Sequence, residues 1–442
     1  MTALDQFDPF AGRVTSALEE IAPTTRPAYL DTVLAQTAAT RQRPRWTFLG
    51  RWLPMDTAIP RSLGLARAPV RLLVLLVLLI VATIAVAALL VGAQRRVPSP
   101  FGPADNGAIA YTSGGDLYVR DTLDATGRLL IGGDGDQVAP SFSPDGEWLS
   151  FITEMEDGAH FMVAKADGSG VREVALMPKE GNAQGAWRPD SKAIALIYDL
   201  DFYPQLTIAF LDGSPTLNIK MPYLFPLELA WRPPDGSDLL VRVQTYDGAV
   251  GLYLVRPDGS DQRPIVTPVP ASVDWGTWYT NAGPVWSPDG RTIAYGATVR
   301  VPELDHDVFR VHRIDADGSN DRELPGPPLT LHGRPLHENW PLFSPDGRWI
   351  LVHRWQLNDF PDAKGWLAVM PSDGSAPARD IGPKIPGGHE TGLIKAWSPD
   401  GSRVLMRAEN TTTAYSIDPI TGEEEVLDWT TDLPDWQRVA RR

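Results

Sequence analysis

The chain has 442 residues, 43% of them apolar, enough for more than one domain and a sizeable core. Its formal charge of −15 is unevenly spread: residues 1–71 hold nine Arg, no Lys and six Asp or Glu, a balance of +3, leaving −18 for the remainder. A strongly acidic large region argues against a nucleic-acid partner, and the absence of cysteine excludes disulfides, thiolate zinc sites and cysteine nucleophiles together.

In chain order, residues 1–65 read as a short helical segment. Val14, Leu18 and Ile21 share one helical face, as do Leu30, Val33, Leu34 and Thr37. Pro27 follows Thr24 and Thr25, where a first helical turn tolerates it. The stretch Arg43-Pro44-Arg45-Trp46-Thr47-Phe48-Leu49-Gly50-Arg51-Trp52-Leu53 mixes arginine with aromatics. That mixture predicts a segment lying on an anionic inner leaflet, with a plain linker as the alternative.

Leu72–Ala93 then runs for 22 residues without a charge. At about 1.5 Å per residue such a helix spans a hydrocarbon core of about 30 Å. A transmembrane helix is therefore expected over 70–93. The run is longer than a signal peptide's apolar region and too far from the first residue. Arg41, Arg43, Arg45, Arg51, Arg61, Arg67 and Arg71 precede it, opposed only by Asp56, while Arg95 and Arg96 follow. The positive-inside bias predicts a single-pass protein of the bacterial cell membrane, with its N-terminus in the cytoplasm and everything after a linker at 94–106 outside.

A repeat dominates the rest. Ser-Pro-Asp-Gly begins at Ser143, Ser287, Ser344 and Ser398, with degenerate copies at Arg188-Pro189-Asp190-Ser191 and Arg232-Pro233-Pro234-Asp235-Gly236. An aromatic precedes each copy: Phe142, Trp187, Trp231, Trp286, Phe343 and Trp397. After each comes a β-rich run such as Thr292-Ile293-Ala294-Tyr295, then a second run such as Leu252-Tyr253-Leu254-Val255. The second run ends in another turn: Asp167-Gly168, Asp212-Gly213, Asp258-Gly259, Asp317-Gly318, Asp373-Gly374 or Thr421-Gly422. The spacing fits one four-stranded blade per repeat.

Counting hairpins gives seven blades. The first hairpin, Ala108–Tyr111 with Leu117–Val119, lacks an inner strand, and Leu433-Pro434-Asp435-Trp436 near the other end resembles Gly283-Pro284-Val285-Trp286. The C-terminal strand is expected to complete the first blade and close the ring. Six blades is the alternative. The aromatic-Ser-Pro-Asp-Gly repeat resembles that of the TolB-like, WD-repeat-like propeller superfamily over residues 107–439. That resemblance implies an all-β propeller and says little about activity.

Turn length predicts where ligands would bind. The Pro-Asp-Gly and Asp-Gly-Ser turns share one face; longer connections open on the other. Those connections carry Trp275, Trp278 and Tyr279 in Pro264–Pro284, and Glu303, Asp305, His306 and Asp307 in Val301–Asp307. They also carry His332, His337, Glu338 and Trp340 in Pro325–Pro341, and His389 and Glu390 in Asp380–Lys395. The same loops read equally well as simple caps. His306, His337 and His389 have no metal-ligand spacing, and Asp134 and Asp136 lack the ligand series of a calcium loop. His337-Glu338 and His389-Glu390 lack the second His of a zincin helix, and there is no G-x-S-x-G elbow or Walker loop. Neither a cofactor nor a catalytic residue is expected.

The layout, a small helical cytoplasmic segment, one span and a large external domain, resembles transmembrane anti-sigma factors of bacteria. It departs from their zinc-binding subclass, whose motif needs cysteine; here the first histidine is His160. The resemblance implies a cytoplasmic protein partner for residues 1–65 and an envelope ligand or protein for the propeller. A membrane-tethered hydrolase or glycan-processing module, and an envelope scaffold, are the alternatives.

Overall fold

The computed structural model describes residues 78–80, 98–99, 101–177, 183–200, 203–272, 282–301, 305–356, 364–386, 393–408 and 413–441. The expected helical segment 1–65 lies outside them, as does the expected span apart from Leu78–Ile80, which are helical and exposed. No helix among the described residues is long and apolar enough to cross a membrane. Ala93–Arg442 forms one compact unit.

Seven antiparallel sheets follow one another around a ring. Blade two runs from Asp136–Phe142 inside, through Trp148–Met155 and Gly158–Lys165, to Arg172–Met177 outside. Blades three to five repeat this with inner strands Ala183–Trp187, Leu224–Trp231 and Ala282–Trp286. Blade six has inner strand Arg334–Phe343 and a short extra strand, Thr330–Leu331, hairpinned onto it; blade seven begins at Leu393–Trp397. Blade one takes its inner strand from the far end of the sequence: Asp435–Val439 pairs with Asp105–Ser113, Asp105 opposite Val439 and Ile109 opposite Trp436. The ring therefore has seven blades, not six, and closes through the C-terminal strand.

The repeat supplies one chemical role per residue. At the first strict copy, Ser143 Oγ accepts the Trp148 N–H at 3.0 Å and donates to Asp145 Oδ1 at 2.5 Å. The same Asp145 oxygen accepts the Glu147 N–H. Gly146 takes φ 71°, open to glycine at little cost, and its N–H returns to Ser143 O at 2.9 Å. Ser287, Ser344 and Ser398 make the same hydroxyl–carboxylate bond, each at 2.6 Å. In the other tight turn the aspartate accepts the N–H of the serine two residues on, as Asp167 does from Ser169 and Asp317 from Ser319. The Ser169 and Ser319 bonds hold both carboxyls below their usual range.

Every blade boundary holds its own apolar cluster. Ile197, Leu206 and Ile208 of blade three meet Trp231 and Val241 of blade four, and Leu252 and Leu254 of blade four meet Trp286, Ile293 and Tyr295 of blade five. At the closure, Leu405, Ala414 and Leu427 of blade seven meet Ile109 and Trp436 of blade one. Three of the four motif tryptophans do more than fill space. Trp187 Nε1 donates to Ser141 O, Trp231 Nε1 to Ala186 O and Trp397 Nε1 to Leu342 O, each reaching the inner strand of the preceding blade at 3.0–3.3 Å. Inner-strand acceptor side chains reach forward to the next blade. Gln184 takes the Leu229 N–H, Glu228 the Gly283 N–H, and Asp435 the Phe142 N–H.

Closure should therefore be measurable on the full chain. Trp436→Ala is expected to cost about 3 kcal/mol, the usual loss for a large buried ring, read by denaturant unfolding. Ending the chain at Asp432 should admit proteolysis between Ala108 and Val119. A truncated chain that unfolds at the same denaturant concentration as the intact one would show that the latch contributes nothing.

Candidate functional site

The inner strand of blade six brings three of the expected ligand-face residues together, and it buries two of them. The expected loop Pro325–Pro341 is largely strand: Arg334–Phe343 pairs with Trp349–Gln356, His337 opposite Trp355, Glu338 opposite Arg354 and Asn339 opposite His353. His337, Glu338 and Asn339 are 0% exposed, and Trp340 is half-buried. A bulge after Asn339 puts Trp340 at φ 47°. Equivalent bulges in blades two and five put Ala139 at φ 53° and Gly283 at φ 62°. A bulky residue in left-handed backbone is an outlier that surrounding packing must hold.

That packing is a column of rings. Trp340 stacks on His353 at 5.4 Å, His353 on Trp355 at 5.0 Å, and Trp355 on His337 at 4.9 Å. Phe309 of blade five ends the column against His337 and Trp355. Blade five makes room through Gly296, where an added Cβ would sit 1.4 Å from Asn339 Oδ1. Burial, with repulsion from Arg310 and His306, pushes the His337 imidazole down to about 3, so it is neutral at ordinary pH.

Beside the column lies a buried ion cluster. Arg354 Nε donates to Glu338 Oε1 at 3.0 Å, a second Arg354 N–H reaches the same oxygen, and Arg354 Nη1 reaches Asp380 at 2.5 Å. Arg310, from the third strand of blade five (His306–Asp315), donates to Phe309 O and to Leu336 O of blade six, each at 2.8 Å. Burial pushes the Glu338 carboxyl up, opposed by Arg354 and Arg310; burial pushes Arg310 down. Glu338 Oε2 has no hydrogen-bond partner among the described residues. Blade four carries a simpler counterpart, Glu228 opposite Arg242 with a 2.8 Å bond. The cluster fastens blade six to blade five beneath the face that carries the longer connections.

His306 starts the third strand of blade five and is exposed; His332, at φ 54°, is exposed in the turn before Arg334. Trp275, Trp278, Tyr279, His389 and Glu390 lie outside the described residues. Among the described residues no three His, Asp or Glu side chains form a group able to hold a metal ion. Arg310, His353, Arg354 and Trp355 escape a reading by loops, because they sit in strand interiors. Their signal is His353-Arg354-Trp355 directly after the aliphatic run Ile350-Leu351-Val352, where a charge needs a buried partner.

No family model and no curated protein sequence matches the chain. Solved structures do. TolB from Acinetobacter baumannii aligns at 14% identity over 74% of this chain and 81% of its own, with a TM-score of 0.45. An oligogalacturonate lyase in complex with manganese aligns at 16% over 73% and 84%, TM-score 0.49. The periplasmic gluconolactonase PpgL of Pseudomonas aeruginosa aligns at 16% over 76% and 99%, TM-score 0.48. These likenesses concern the propeller and do not extend to activity.

His337 makes the cluster testable by pH. Its native pKa lies near 3 against an ordinary 6.5, so between these values the unfolded chain binds a proton that the native chain does not. Stability from this group is present above pH 6.5 and falls as pH drops through the window, by up to about 1.4 kcal/mol per unit. Asp435 acts oppositely: burial raises its carboxyl to about 6, so between pH 6 and 3.8 acid favours the native state. The comparison must therefore be a difference. Between pH 7 and 4, His337→Leu should lose less stability than the parent by about 3 kcal/mol. Parallel stability curves would mean that His337 titrates alike in the native and unfolded chains.

Proposed function

We propose that the chain is a membrane-anchored, extracytoplasmic binding protein of the sensor kind, in which the propeller engages an envelope ligand or protein. The observation carrying this reading is the order of parts. Seven arginines between residues 41 and 71 precede a 22-residue uncharged run, Arg95 and Arg96 follow it, and the propeller's first strand begins at Asp105. So short a connection ties whatever the propeller binds to the bilayer. Binding is favoured over chemistry because the His337-Glu338 pair is taken up in a ring column and an ion cluster between blades. The exposed His306 and His332 stand above that cluster, on the face opposite the tight turns. Residues 1–65 would engage a cytoplasmic protein, a sigma factor being the partner implied by the anti-sigma layout.

Topology is the step on which the rest stands. A reporter active only outside the cytoplasm should be active when fused after Arg442 and silent when fused at position 60. The opposite pattern would remove the external sensor and assign the propeller to the cytoplasm. Site-specific photocrosslinkers at His306 and His332 in living cells should then yield a common adduct, absent with crosslinkers at Asp167 and Asp258 on the tight-turn face.

A further inference from the structure

Four outer-strand arginines begin alike, five or six residues after the turn aspartate: Arg172, Arg263, Arg322 and Arg379. Three of them reach across to the next blade. Arg172 donates to Leu211 O, Arg322 to Asp373 O and Arg379 to Pro419 O. Arg263 of blade four makes no such bond among the described residues, and neither does Arg128, which begins the outer strand of blade one. Between blades four and five the strap is open, and a cleft of about 590 Å³ lies there, lined by Arg232, Arg263, Arg291, Arg313, Asp289 and Asp315.

The donors in this cleft outnumber their commitments. Arg232 is the most engaged, bonded to Asp238 and Gly290 O and laid over the Trp286 ring. Arg313 donates one N–H to Ser372 O. Arg291 meets Asp289 only at 3.9 Å, and Arg263 acts on Asp317 through its field alone. Each guanidinium offers five donors in a planar fork. The carboxylates are the better satisfied groups. Asp289 accepts from Ser287 Oγ and the Arg291 N–H, Asp315 from Asn320 at 2.7 Å, and Asp317 from Ser319. Arg232 is matched by Asp238, and Arg263, Arg291 and Arg313 stand over carboxylates already committed elsewhere, leaving a local surplus of guanidinium hydrogen-bond donors in one cleft.

We propose that this cleft binds a phosphate group, supplied either by a lipid headgroup or as the free ion. Convergent guanidinia match phosphate oxygens bidentately, and the volume admits more than a bare ion. The site is on the tight-turn face, away from the face assigned to the envelope ligand, and it does not depend on that assignment.

The test is isothermal titration of the full chain in a non-ionic detergent with inorganic phosphate, glycerophosphoglycerol and citrate. Saturable binding of a phosphate probe is expected, weakened about tenfold or more in Arg263→Gln/Arg291→Gln. Both side chains are exposed at the cleft, so the melting temperature of this variant should match the parent's. Tighter binding of glycerophosphoglycerol assigns the source to a headgroup; tighter or equal binding of inorganic phosphate assigns it to the free ion. Absence of saturable binding to either phosphate probe overturns the proposal. So does equal binding by the variant, or citrate binding as tight as phosphate.

Discussion

A four-stranded sheet has two faces to bury, and nothing within one blade can cover either. That constraint organises the molecule. Each blade must offer apolar side chains to both neighbours, so the clusters fall at blade boundaries and not inside blades. A linear stack would leave two faces open at its ends, and a ring leaves none. The C-terminal strand pairing with Asp105–Ser113 is the solution at the level of hydrogen bonds, and Leu405, Ile109 and Trp436 are the solution at the level of apolar area.

Burying the inner strands creates a second problem, because their polar groups cannot all reach water. The repeat answers it twice. Tryptophan in place of phenylalanine at the motif position adds an indole donor for the neighbouring inner strand, as at Trp187, Trp231 and Trp397. A carboxylate or amide on the inner strand supplies the complementary acceptor, as at Gln184, Glu228 and Asp435. Blade six takes the same device furthest. Its Glu338 is matched by Arg354 across the sheet, and Arg310 enters from blade five. Removing either partner of such a pair leaves an uncompensated buried charge, which costs far more than the pair itself contributes.

The fold was legible because its signals are local and repeated. Ser-Pro-Asp-Gly marks a turn through bonds confined to six residues, Ser143 to Trp148, and recurrence multiplies a weak signal into a strong one. Ring closure was legible for a related reason: one hairpin had no inner strand, and one strand-like segment had no hairpin. The blade-six cluster was not. His337 and Glu338 look like loop residues in sequence because the segment from Leu324 to Pro335 is rich in proline and glycine, and the strand that follows opens with polar residues. Only the register that sets them opposite Trp355 and Arg354 turns them into interior groups. Registers and bulges are non-local properties, decided by the neighbouring blade.

The same separation between local and non-local explains how Arg263 differs from its equivalents. Its sequence position matches Arg172 and Arg322, so nothing in the repeat distinguishes it. What differs is the neighbour. Arg172, Arg322 and Arg379 reach carbonyls in the next blade's second tight turn, at Leu211, Asp373 and Pro419, whereas Arg263 makes no bond to the corresponding turn of blade five among the described residues. Arg263 is left lining the cleft together with Arg291 and Arg313. Regularity in a propeller thus sets a background against which an unmade bond stands out. In a fold whose repeated residues are spent on holding blades together, the copies left unspent are where ligand recognition can arise.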